Sequence, residues 1–141
     1  MEKNSKLLLL IMAGVLLSFL GCNKHPLSGK TPTTFTLNST GIIEGGESGY
    51  FFANGDPTVS GTYEMLFEVV DDSLHCSQTL FTTTGTIVIQ SDCSLVTNTG
   101  DWFITDGTGT YWNLEGEGTL IMEFPKDAPG IEAMSGFTWR R

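Results

Sequence analysis

This chain is short of positive charge, histidine and cysteine, and no segment of it keeps a helical period over three turns. Only 7 Lys and Arg stand against 16 Asp and Glu, a formal charge of −9. That balance argues against nucleic acid and anionic headgroups as partners, because both repel an acidic surface. The 2 histidines are His25 and His75, and none of the 3 cysteines sits in a CxxC, so a four-ligand zinc site lacks donors. A Ser–His–Asp triad would have to use His75, and no nucleophile elbow accompanies it. Gly107-Thr108-Gly109 lacks the Lys-Ser/Thr of a phosphate loop. The only arginines, Arg140 and Arg141, close the chain. No metal, cofactor or catalytic constellation is expected.

What is present starts at the N-terminus. Lys3 and Lys6 precede an apolar run of 14 residues, Leu7 to Leu20, shorter than the roughly 20 needed for a membrane span. The small residue Gly21 and then Cys22 follow, the layout of a cleavable signal peptide. Leu20-Gly21-Cys22 resembles the lipobox of bacterial lipoproteins, with Phe19 where a branched aliphatic residue is usual. The resemblance implies that residues 1–21 are removed and that Cys22 carries acyl chains. Each buried methylene then contributes about 0.8 kcal/mol, and two or more chains hold a protein on its membrane. The expected location is the bacterial cell envelope, on the inner or outer membrane, periplasmic or surface-exposed. Loss of Lys3, Lys6 and Glu2 leaves 5 basic and 15 acidic residues, a formal charge of −10. Residues 22–32, with two prolines, a glycine and no apolar periodicity, read as a lipidated tether. Residues 33–141 have the size of one domain.

That domain reads as all-β. Its glycines, threonines and aromatics fall into short runs separated by turn signals. Eight strands are expected: Thr33–Ser39, Gly49–Ala53, Gly61–Val70, Leu74–Thr83, Thr86–Val96, Asp101–Thr105, Gly118–Phe124 and Glu132–Trp139. With Thr84-Gly85 as a two-residue turn, Cys76 faces Cys93 in a non-hydrogen-bonded pair, the closer of the two antiparallel pair types. The same register puts Leu74, Cys76, Leu80, Ile87, Ile89, Cys93 and Leu95 on one face. A Cys76–Cys93 disulfide is the expectation, permitted by an oxidising envelope and worth roughly 3 kcal/mol.

The stretch from Gly100 to Phe124 is the most patterned. Ile104 to Tyr111 reads ITDGTGTY, and Leu114 to Leu120 reads LEGEGTL. Strand, Gly-Thr-Gly turn, aromatic, and Gly-x-Gly into the next strand resemble the signature of the allene oxide cyclase barrel, shared with plant dirigent proteins. Met134 to Trp139 is similar to that family's last strand. The resemblance implies a single eight-stranded antiparallel up-and-down β-barrel around a cavity. The family's catalytic residues find no counterparts here.

Several residues remain as site candidates. Tyr63, Phe67, Trp102, Tyr111 and Trp112 are the ligand-binding set, since small barrels hold ligands in their mouths and aromatics supply apolar contact. Glu115 and Glu117 share strand parity and could act as a carboxylate pair. Asp101 and Asp106 add oxygens for Ca²⁺, but no Ca²⁺-loop spacing is present. The leading expectation is a membrane-anchored, non-catalytic binding or interaction module, for a small apolar ligand or an envelope protein. A cyclase- or isomerase-like enzyme is the competing reading. It needs a buried polar side chain such as Glu64, Glu68 or Gln78, and exposure of both glutamates weighs against it. A purely structural envelope component is the third.

Overall fold

The structure, a computed structural model, describes residues 29–127 and 130–141. The signal segment and Cys22 lie outside the described residues. Eight strands follow one another: β1 (Thr31–Ile43), β2 (Gly46–Asn54), β3 (Val59–Val70), β4 (Ser73–Thr82), β5 (Gly85–Ser94), β6 (Thr99–Gly107), β7 (Leu114–Glu123) and β8 (Ile131–Arg140). One turn of 3-10 helix, Gly109–Tyr111, joins β6 to β7. Each strand is antiparallel to its sequence neighbours, and β8 pairs with β1 to close an up-and-down barrel. All eight expected strands are present. β1 begins at Thr31, inside the segment read as tether.

Alternation builds the interior. Along β1, Thr33, Phe35, Leu37 and Ser39 are buried while Thr34, Asn38 and Thr40 are exposed, the two-residue period of a strand with one wet face. At mid-barrel Trp102 shares a rung with Gly118 and Gly136. Its ring meets Phe35 edge-on at 5.5 Å, and its indole N–H donates to the Ser135 carbonyl at 3.3 Å. A Cβ on Gly118 would lie 2.1 Å from the Ser135 oxygen, so only glycine permits this approach between strands. Full burial of such large side chains contributes about 1.5–3 kcal/mol each.

The two ends differ. At one end the 3-10 turn lies across the opening, with Tyr111 buried and Thr110 N–H donating to the Thr84 carbonyl at 3.1 Å. The Thr33 and Thr138 hydroxyls meet at 2.7 Å, and Arg140 pairs with Asp56 of the β2–β3 loop at 3.1 Å. Both β1 and the C-terminus belong to this closed end. The opposite end is formed by the β1–β2, β3–β4, β5–β6 and β7–β8 connections.

One expectation needs correction. The β4–β5 turn is Thr83-Thr84, so Cys76 faces Ser91, and Cys93 faces Leu74. The slip from the expected register is two residues. It preserves which side chains point inward and separates the cysteines, which are both free thiols rather than a disulfide. The cause is tertiary. Gly85 is needed in β5 against the 3-10 turn, where a Cβ would lie 2.1 Å from the Thr108 oxygen at φ +151°. Glycine serves that contact instead of the hairpin turn. Every strand has two partners between Thr31 and Arg140 and shares one core, so this segment is a self-sufficient folding unit.

Candidate functional site

The barrel interior changes character along its axis. Leu80, Ile87, Tyr111 and Leu114 fill the closed end with apolar surface. Toward the other end the inward positions carry Gln78 on β4, Ser91 on β5 and Glu132 on β8, all buried. Glu132 sits between Leu37 of β1 and Met122 of β7 and is only 4% exposed. Its strand alternates Glu132, Met134, Gly136, Thr138 inward, so β8 parity places a carboxyl in the core.

Gln78 holds that carboxyl. Its Nε2 donates to Ser91 Oγ at 2.7 Å and to the two Glu132 oxygens at 3.1 and 3.3 Å. The Gln78 carboxamide oxygen, fully buried, has no hydrogen-bond partner. Nearby the Tyr63 hydroxyl donates to Glu47 Oε1 at 2.9 Å. A cavity of about 240 Å³ opens beside Glu132 at this end. Met65, Phe67, Leu74, Leu95, Met122 and Phe124 make its apolar wall, and among the described residues Glu47 and Glu132 are its only ionisable lining residues.

Burial sets the electrostatics. Loss of hydration pushes the Glu132 carboxyl up to about 7; the Gln78 and Ser91 hydrogen bonds oppose the rise and the Glu47 charge adds to it. Burial, followed by the Glu132 charge, drives the Cys76 thiol up to about 12 and raises Cys93 as well. Tyr63 is raised too, by burial first and Glu47 next. Near neutral pH the site therefore holds protonated thiols, a protonated phenol and a carboxyl close to its midpoint. It can accept hydrogen bonds, or exchange one proton, within an apolar chamber.

The residues singled out from sequence are scattered over the barrel. Phe67 lines the cavity, and Tyr63 is tied to Glu47 next to it. Trp102 and Tyr111 are core, and Trp112 is 71% exposed. Glu115 and Glu117 are on the outer face and pair with Arg141 at 2.8 Å and Lys30 at 3.5 Å. Asp106 accepts from the Gly107 N–H, and Asp101 is exposed beside Asp92, which pairs with His75. Glu64 and Glu68 are exposed, while Gln78 is fully buried. Glu132 and Glu47 were not singled out. The available signal was an acidic residue at the inward parity of β8, two positions before Met134.

The described residues hold no cluster of three metal-ligating side chains and no helix long and apolar enough to cross a membrane. The molecule is thus an eight-stranded closed antiparallel barrel with one apolar, acid-floored cavity at one end. No protein-family model matches the chain, and no curated protein or solved structure matches it either.

Proposed function

We propose that this chain is a lipid-anchored protein of the bacterial cell envelope whose barrel binds a small apolar ligand without transforming it. The observation that carries the reading is the 240 Å³ cavity, walled by methionine, leucine and phenylalanine and closed to one side by a packed core. Ligand sites of this kind are concave, mostly apolar and furnished with a few polar groups. The lipobox-like Leu20-Gly21-Cys22 supports anchoring through acyl chains on Cys22, and the glycine-patterned β6–β7 region supports kinship with the allene oxide cyclase barrel. β1 begins at the closed end, so a tether from Cys22 would leave the cavity mouth pointing away from the membrane. Ligand would then be exchanged with the aqueous side or with an envelope partner.

The test is calorimetric titration of the chain from residue 23 onward with octanol, with native mass spectrometry for any co-purifying molecule. Binding that disappears in Met122→Trp, which fills the cavity, supports the reading. A folded protein with neither octanol binding nor a co-purifying ligand refutes it. A cyclase or isomerase acting in the same cavity has one observation in its favour: Glu132 is poised near neutrality, where proton transfer is most effective. Exposure of Glu64 and Glu68 weighs against that reading, whereas Gln78, the third polar side chain it named, is fully buried.

A further inference from the structure

We propose that the cavity selects an amphiphile with a primary ammonium head, seated against Glu132 and Glu47 with its alkyl body on Met65, Leu74, Leu95 and Met122. This rests on the reading of the barrel as a binder of small apolar ligands and names the class of ligand. The lining contains two carboxyl groups and no Lys, Arg or His. Lys30, Arg140 and Arg141 belong to the closed end, where they pair with Glu117, Asp56 and Glu115, and Lys126, in the β7–β8 connection at the cavity end, is exposed and outside the lining. No described cation therefore pairs with Glu132 or Glu47. A second observation concerns hydrogen bonding. The buried Gln78 oxygen lacks a donor, and its amide is already bonded to Glu132 and Ser91. Behind the lining, then, an acceptor stands free, and the polar atoms the lining side chains present to the cavity are carboxyl oxygens. An ammonium group carries three donors and no acceptor, whereas a carboxylate head only accepts. Desolvating a cation is costly unless it is paired, and the acidic floor supplies that pairing.

The groups around Glu132 define the pH response. Glu47 faces it from β2, Tyr63 from β3, Cys76 and Gln78 from β4, and Ser91 and Cys93 from β5. Its β1 and β7 neighbours, Leu37 and Met122, are apolar. The thiols and the phenol stay protonated near neutrality, so the carboxyls govern ammonium binding. As pH falls below the Glu132 midpoint, affinity drops up to about tenfold per pH unit, because the bound state needs the ionised carboxyl.

The decisive experiment titrates the chain from residue 23 onward with octylamine, octanol and octanoate near pH 8 and near pH 5.5. The tail is constant and only the head changes. The expected result near pH 8 is octylamine binding about tenfold or more tighter than octanol, with octanoate weakest. Near pH 5.5 the octylamine advantage should shrink while octanol is unchanged. Glu132→Gln should shrink the advantage over octanol and remove its loss near pH 5.5, with circular dichroism reporting that the variant is folded. Should that variant fail to fold, the wild-type pH series still decides. Equal binding of octylamine and octanol, or preferred binding of octanoate, overturns the ammonium assignment and leaves the apolar-ligand reading standing. Failure of all three probes to bind overturns both.

Discussion

Replacing Glu132 by glutamine tests the energetics of the barrel most directly. The carboxyl titrates near 7 in the fold, against 4.5 for an unperturbed glutamate. A raised folded-state value means that the native chain holds the proton more tightly than the unfolded chain. The associated stability is fully present below the unfolded value, declines as pH rises through the interval, and is gone above about 7. At 1.36 kcal/mol per pH unit, the interval amounts to about 3 kcal/mol. Glutamine keeps the shape and a hydrogen-bonding head without the titration. The assay is urea denaturation of both proteins across the range from acid to mildly alkaline pH. Wild type should lose about 3 kcal/mol relative to Glu132→Gln between about pH 4.5 and pH 8, with nearly all of the loss complete by pH 7. Every other side chain is common to both proteins, so the difference isolates Glu132. Parallel stability curves would refute the assignment of Glu132 as a buried, unpaired acid.

Two further outcomes follow from the core. Cys76 and Cys93 should be slow to react with a thiol reagent in the folded chain and should give two thiols on unfolding, because both are buried and their thiolates are disfavoured. A zero count after unfolding without reductant would mean that the strands had been bridged. Trp102→Ala should destabilise the barrel by about 3–5 kcal/mol, read from the denaturation midpoint, since it removes the ring packed on Phe35 between Gly118 and Gly136. A loss below about 1 kcal/mol would contradict its place at the centre of the core.

The architecture was legible in the sequence to a large extent. Strand periodicity is local, and turn residues report it directly. That is why eight strands, and the inward face of Leu74, Cys76, Leu80, Ile87, Ile89 and Cys93, could be read without coordinates. Leu95 lies just past β5, in the β5–β6 connection, and still joins Leu74 in the cavity wall. The hairpin register failed for a different reason. A two-residue slip leaves every side chain on its original face, so hydrophobic patterning cannot detect it. Only the contact between Gly85 and the Thr108 backbone selects the turn.

The candidate site shows the same division. Composition established an acidic, histidine-poor chain with no metal or nucleophile signature, and alternation established an all-β domain. Neither could say which aromatics face a void. Tyr63, Phe67, Trp102, Tyr111 and Trp112 are alike as residues, yet Phe67 alone among them lines the cavity. Its position near the end of β3 decides this, since the closed end is filled by Tyr111 and the middle by Trp102. The placing of Glu132 beside Gln78, Ser91 and Glu47 is likewise a product of closure. Those residues come from β8, β4, β5 and β2, and only pairing of β8 with β1 closes the barrel that brings the Glu132 carboxyl to Gln78. Local periodicity specifies which way a side chain points; barrel closure specifies what it meets, because burial and partner charges depend on every strand at once.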